Sequence, residues 1–320
     1  MAGALATYDR FLVTPVMPSS RFPLQYILSA AGPAARPTLW LDWVFGAICV
    51  AVCIIVAGLL LGGMMRRRKA TGVMREDQGL YWMLFGTGLS VVVLTGMAIY
   101  ALVALNGVSV PRNVGLQIAV TGYDWWWRAD YGDFVTANEI HIPTGVPVVI
   151  ALNSADVIHA FWVPQLAGKT EMIPGQPTRQ WIQADAAGVY RGQCTQFCGL
   201  QHAHMAFEIV AQSPADYAAW RAAQAQPATS TGLPGEALFV DRCGGCHTVR
   251  GTQASGTHGP DLTHLMSRRQ IAAGLLPMTP DNLMAWVEHP QALKPGAEMP
   301  DTVLTPTERA DLSAYLQTLR

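Results

Sequence analysis

Two long uncharged apolar stretches constrain this chain more than anything else in it. From Trp43 to Met65 no side chain carries a charge. At ~1.5 Å per residue a helix over that stretch reaches roughly 35 Å, enough to cross the hydrocarbon of a bilayer. Tyr81 to Leu105 repeats the pattern at similar length. Neither stretch has a polar face, which argues against two buried helices of a soluble protein. The composition agrees, since 51% of residues are apolar and only 13% charged. Arg66, Arg67, Arg68 and Lys69 follow the first stretch at once, and the positive-inside rule places them in the cytoplasm. The N-terminus and everything after residue 106 then lie on the outer face, with Trp40, Trp43, Tyr81 and Trp82 as interface anchors.

Ahead of this hairpin, residues 1–38 are broken by Pro15, Pro18, Pro23, Pro33 and Pro37 and lack the basic start and apolar core of a signal peptide. The apolar patch Tyr26–Ala31 is too short to span a bilayer. A formal net charge of −1 gives no sign of a nucleic-acid partner. From Val114 the pattern changes to short runs rich in Val, Ile, Thr and aromatics, such as Leu116–Tyr123, Val148–Leu152 and Val189–Gln193. Turn signals such as Pro143-Thr144-Gly145 separate them, so an antiparallel sandwich or barrel is expected. Trp125, Trp126 and Trp127 cannot all face the core of one strand, because side chains alternate, so at least one is expected at an interface. For Trp126 a place against the membrane surface and a functional place are equally open. Ser213-Pro214-Ala215-Asp216 caps a helix to about Ala225, with Tyr217 and Trp220 on one side. Residues 226–233 read as a linker of small and polar residues.

Four of the six cysteines lie in two tight clusters; the other two, Cys49 and Cys53, behave as small hydrophobes in the first apolar stretch. Between Gly192 and Met205, Cys194, Cys198, His202 and Met205 follow at intervals of four, four and three. Two thiolates, an imidazole and a thioether make a soft set suited to copper. Donors packed this densely on one loop can surround two ions. The second cluster, Cys243-Gly244-Gly245-Cys246-His247, is the pattern of covalent haem attachment, two thioethers followed by an imidazole for the iron. Thr305-Pro306-Thr307-Glu308 forms a capping box ahead of a helix with Leu312, Tyr315 and Leu316 at core spacing.

The first of these loops resembles the binuclear copper (CuA) loop of subunit II of haem-copper cytochrome c oxidases. Ser154-Ala155-Asp156-Val157-Ile158-His159 resembles the setting of that family's upstream copper histidine. The resemblance implies a cupredoxin-like β-sandwich in which Cys194 and Cys198 bridge two coppers. His159, His202, Met205 and the backbone carbonyl of Gln196 complete the set. His204 is left as a neighbour. The family usually has Glu at the position of Gln196, whose carboxylate reaches a magnesium ion at the junction with subunit I. An amide is a weaker ligand for a hard cation, which leaves that magnesium open here. Gly122–Trp127 resembles the aromatic segment through which electrons enter the copper centre; Trp125 matches the entry position, and Trp127 is expected to share its face.

Residues 234–320 resemble a class I cytochrome c, an all-α domain. Gly235–Phe239 corresponds to its first helix, and Gly259-Pro260-Asp261-Leu262 to the loop that holds the proximal histidine. The loop Lys294–Pro300 presents Met299 as the sixth ligand. Met266, Met278 and Met284 are rivals outside that loop, and His258, His264 and His289 are read as surface or hydrogen-bonded histidines.

The whole then resembles subunit II of a caa-type oxidase: an N-terminal segment (1–38), a transmembrane hairpin (39–106), a CuA domain (107–225), a linker (226–233) and a cytochrome c domain (234–320). The implied place is the plasma membrane, multi-pass, with both redox domains on the periplasmic side. The implied partners are oxidase subunit I with subunit III, an external donor such as a cytochrome c, and membrane lipid. Electrons would pass by haem c and CuA to subunit I, where oxygen is reduced and proton pumping resides. Glu76 and Asp77 lie a few residues early for the family's acidic residue on the second helix and are given no proton role. A nitric oxide reductase subunit is the alternative. A copper carrier would have no use for the haem, and the quinol-oxidase branch lacks the cysteines retained here.

Overall fold

The computed structural model describes residues 27–65, 76–109, 111 and 115–320. The early prolines (15, 18 and 23), Tyr26, the basic run Arg66–Lys69, the side chains of Glu76 and Asp77, and Val114 lie outside the described residues. The described chain divides into two compact units, residues 34–109 and the remainder.

Helices α1 (Arg36–Met65) and α2 (Glu76–Val108) make up the first unit and pack on each other. Each starts several residues before its uncharged stretch, and both are long and apolar enough to cross a membrane. Their Leu, Ile, Val and Phe side chains point outward all round, which in water would be an untenable exposure and in lipid is the favourable one.

Ten strands then build two five-stranded sheets. The first runs β3 (Val135–Ala137), β2 (Trp126–Asp130), β1 (Leu116–Tyr123), β5 (Val148–Ser154), β8 (Thr178–Ile182). The second runs β4 (Glu139–Pro143), β10 (Ala206–Gln212), β9 (Gly188–Cys194), β6 (His159–Trp162), β7 (Lys169–Met172). Alternating residues of β1 and β2 face inward, and Trp127, Phe161 and Phe207 meet at ring separations of 4.5–6.0 Å in the core. The expected purely antiparallel pairing is corrected at two places: β1–β5 and β4–β10 are parallel. Alternation reports which face a residue takes and carries no information about the direction of the neighbour, so crossovers of this kind leave no local mark.

Edge strand β4 is buried throughout because helix α3 (Pro214–Ala225) lies on it. Ser213 caps that helix by accepting from Asp216 N, and Trp220 stacks on His141 at 4.0 Å. One glycine is forced by close approach: a Cβ at Gly192 on β9 would run into the Phe207 ring. Gly192→Ala is expected to cost ~1–3 kcal/mol of stability through overpacking. A lowered thermal midpoint at unchanged secondary structure checks it.

The C-terminal region packs α4 (Pro234–Arg242) against α7 (Pro306–Leu316), with α5 (Pro280–Glu288) and the short α6 (Pro290–Leu293) beside them. Thr305 and Glu308 form both halves of the capping box of α7. Phe239, Leu283, Met284, Leu312, Tyr315 and Leu316 share its core. A two-residue hairpin, β11 (Gln270–Ile271) with β12 (Leu276–Pro277), departs from the all-helical expectation.

The stretch read as a linker is fastened at its start. Ala228 N donates to the Arg250 carbonyl (2.8 Å), and His264 Nε2 meets the Gln226 carbonyl (2.9 Å). The Arg250 guanidinium donates to the last carbonyls of α3, at Gln224 (2.5 Å) and Ala225 (3.0 Å). A cation there satisfies groups that every helix end leaves unpaired.

Candidate copper and haem centres

His159 opens β6 and Cys194 closes β9, and these strands are antiparallel neighbours with Phe161 opposite Cys194. Met205 immediately precedes β10, whose first residue Ala206 faces Gln193 of β9. Three adjacent strand ends thus bring together donors that are far apart in the chain. Cys194 Sγ lies 3.9 Å from His159 Nδ1, 3.7 Å from Cys198 Sγ and 3.2 Å from the Gln196 carbonyl. Cys198 Sγ lies 3.5 Å from His202 Nδ1 and 3.8 Å from Met205 Sδ. The two sulfurs stand well beyond the roughly 2.05 Å of a disulfide and are not joined. Each has its own imidazole and one further donor beside it, a set that divides evenly over two soft ions. His159, Cys194, Cys198 and Met205 are buried, while Gln196 and His202 are half-buried.

The thiols titrate as a pair. The hydrogen bond between them holds Cys194 down, to about 4, with His159 contributing, and pushes Cys198 up. One proton leaves easily and the second only when a cation replaces it, which is how a thiolate metal site behaves. For His159, burial opposes protonation, but hydrogen bonds to Cys194 and Asp156 outweigh it and raise the imidazole. His159 Nε2 sits 2.7 Å from Asp156 Oδ1, leaving Nδ1 toward the sulfurs. Asp156 is itself held by Val157 N (2.6 Å) and Asp124 N (2.7 Å). Asp156→Ala is expected to weaken copper binding roughly ten- to a hundredfold while every direct donor stays in place. Chelator competition measures it.

His204 is outside the donor cluster, and its Nδ1 meets Gln201 Oε1 at 2.7 Å. The tryptophan reading needs one correction. Trp125 sits in the turn between β1 and β2, so strand alternation does not reach it and Trp127 does not share its face. Trp127 is fully buried in the sandwich, whereas Trp125 is half-buried and its Nε1 donates to the Cys198 carbonyl (2.9 Å). Trp126 stacks on Tyr123 at 4.6 Å.

In the C-terminal domain Cys243, Cys246 and His247 occupy one turn after α4, with Cys246 N and His247 N both donating to the Cys243 carbonyl. They line an apolar cavity with Met299 on its wall, together with Phe239, Leu283 and Leu316. Met266, Met278 and Met284 do not line it; Met284 is core. His247 Nδ1 meets the Pro260 carbonyl at 2.8 Å, which orients the ring and leaves Nε2 free, and burial lowers its basicity. A Cβ at Gly259 would lie 2.6 Å from that ring, so the loop lies flat against the imidazole only because of glycine. Arg268 also lines the cavity, its guanidinium donating to the Asp261 carbonyl. An apolar slot with two thiols, one oriented imidazole, one thioether and one half-buried cation fits a haem with its acidic edge. Of the other histidines, His258 pairs with Glu298 (3.1 Å), His264 bonds through both nitrogens, and His289 is exposed.

Trp125 and Trp126 line the same cavity, so the copper-loop domain supplies part of its wall. Lys294, in the methionine loop, is 3% exposed and donates to the carbonyls of Trp125 (2.8 Å), His204 (2.8 Å) and Ala272 (3.0 Å). Burial pushes its ammonium down to about 7, with Cys198 acting the other way. Gln201 Nε2 donates to the Pro295 carbonyl at 2.8 Å. Sequence reasoning missed Lys294, Gln201 and Arg268. It quoted Asp156 within its motif without giving it a task.

Residues 135–213 match the family model of the periplasmic domain of cytochrome c oxidase subunit II, and residues 233–320 match cytochrome c. Cytochrome c oxidase subunit 2 of Alkalihalophilus pseudofirmus is 36% identical over 213 residues, 64% of this chain and 61% of the relative. That of Bacillus sp. PS3 is 29% identical over 246 residues, 71% of this chain and 68% of the relative. The chain therefore spans about two thirds of the length of these relatives. The crystal structure of the periplasmic domain of subunit II of cytochrome oxidase from Bradyrhizobium japonicum is 30% identical, with a TM-score of 0.35. It covers 36% of this chain and 96% of that one.

Proposed function

The chain joins a periplasmic domain of the cytochrome c oxidase subunit II family to a cytochrome c domain, and on that premise we propose that it is the electron-entry subunit of a terminal respiratory oxidase. Its two apolar helices make it a membrane protein whose following domains face outward. When bound, haem c and a two-copper centre would supply one-electron carriers between an external donor such as a cytochrome c and the haems of subunit I, where oxygen is reduced to water. The residues of this chain do the holding and orienting. Cys243 and Cys246 would anchor the macrocycle, and His247 and Met299 would supply donors for its iron. His159, Cys194, the Gln196 carbonyl, Cys198, His202 and Met205 hold the copper pair. The Gln196 side chain is neutral and offers a magnesium ion little.

The observation that carries this reading is Trp125, hydrogen-bonded to the copper loop through its indole and one of the residues that line the haem cavity. Burial of His159, Cys194 and Met205 keeps water from the donor set and limits rearrangement of the site. The test is metal and haem quantification with electron paramagnetic resonance on the purified chain. Two coppers and one haem per chain, with a mixed-valence copper signal, are expected; a single labile copper would defeat the assignment. Assay of the co-purifying large subunit with oxygen and with nitric oxide then distinguishes an oxidase from a nitric oxide reductase.

A further inference from the structure

Lys294 has a surrounding that a packing role alone does not require. Its ammonium has three N–H groups and meets three carbonyl oxygens, each from a different part of the structure. Trp125 belongs to the β1–β2 turn, His204 to the copper loop, and Ala272 to the β11–β12 hairpin of the haem domain. The hairpin turn that offers the Ala272 carbonyl has an unusual backbone. Ala272 (φ 54°) and Ala273 (φ 60°) both lie in the left-handed region, uncommon for residues with a Cβ. Strain of that kind persists where the surroundings over-determine it. In return, the Ala272 carbonyl reaches Lys294 and the Ala273 carbonyl accepts from Ala206 N (3.0 Å) at the end of the copper loop. The loop that carries Lys294 also carries Met299, and its Gly296 sits against the Trp125 ring, where a Cβ would be 3.5 Å from the indole.

We propose that Lys294 is a positioning residue for electron transfer between the haem and the copper pair, its ammonium pinning the methionine loop, Trp125 and the copper loop into one fixed arrangement. The proposal rests on the function proposed above. It adds that the two redox domains work as a docked unit whose geometry at Trp125 is set by a single buried cation, rather than as modules meeting by diffusion on a tether. A second interdomain link serves as the contrast. Arg269 Nε donates to Glu208 Oε2 (3.0 Å), joining the same two domains without touching Trp125, the copper loop or the methionine loop.

The test uses the full chain loaded with copper and haem. Lys294→Met keeps an unbranched apolar side chain one atom shorter and removes all three donors; Arg269→Ala cuts the contrasting link. After light-driven one-electron reduction of the haem, the rate of copper reduction is read optically, and the copper midpoint potential by titration. A displacement of about 1 Å at a reacting centre can cost up to a hundredfold, so Lys294→Met is expected to slow the step at least tenfold. It is also expected to lower the copper potential by withdrawing a positive charge, and Arg269→Ala to change neither by more than about twofold in rate. A wild-type rate in Lys294→Met, or equal slowing in both variants, or an unmoved copper potential, overturns the proposal. Should Lys294→Met not load both centres, Lys294→Gln, which keeps a donor but reaches less far, takes its place under the same criteria. A wild-type chain without two coppers and a haem would instead overturn the function on which the proposal rests.

Discussion

Replacing Cys194 by serine in the full chain is expected to remove the mixed-valence copper signal and to leave the haem absorption unchanged. The reason is where this sulfur stands. It is within 3.9 Å of His159 Nδ1, 3.7 Å of Cys198 Sγ and 3.2 Å of the Gln196 carbonyl, so it meets the donors of its own half and the sulfur of the other. A hydroxyl is harder than a thiolate and stays protonated where the thiol, held down to about 4, does not. The loss should therefore exceed the roughly ten- to hundredfold expected for Asp156→Ala, which disturbs only the orientation of His159. Copper bound per chain falls from two to one or none. Cys243, Cys246 and His247 sit on another turn in another domain, and nothing in their bonding passes through Cys194. A variant that kept a two-copper spectrum would show that the bridging role belongs elsewhere.

Much of this site is legible in the sequence, for a physical reason. Metal and haem chemistry demand particular atoms, and a stretch of twelve residues or fewer can supply most of them locally, from Cys194 to Met205 and again from Cys243 to His247. His159 was legible only through its family-like setting; what brings it in is the pairing of β6 with β9, and pairing of distant strands has no local signal. The same blindness explains the parallel β1–β5 and β4–β10 pairs. Trp127 was misplaced because a turn interrupts the strand at Trp125, and the rule of alternate faces stops at a turn.

The contacts between the domains were the least legible part. Lys294 looks in sequence like any loop lysine, a residue type almost always exposed. Nothing local says that three carbonyls await it, since they come from Trp125, His204 and Ala272. The small polar residues after Gln226 read as a free tether for the opposite reason. Their side chains have little to bury, but their backbone groups find partners on Arg250 and His264 all the same.

Converting Met299 to histidine should lower the haem midpoint potential by some hundreds of millivolts, within the span of about 0.8 V over which axial ligands set haem potentials. A thioether is a weak, soft donor that favours the reduced iron, whereas a second imidazole favours the oxidised one. Of the four methionines after the attachment site, only Met299 lines the cavity with Cys243, Cys246 and His247. Met284→Leu is the control: that side chain is core, 1% exposed, and a volume-conserving change there costs little. The potential of that variant should match wild type. Met299→His leaves His247 oriented by the Pro260 carbonyl and Gly259, so haem attachment is expected to be unchanged. With the haem potential lowered, an external donor of higher potential no longer reduces it, and turnover fails although the copper spectrum is intact. Potentiometric titration of both variants decides the ligand: a fall in Met284→Leu, or none in Met299→His, moves the sixth position away from Met299.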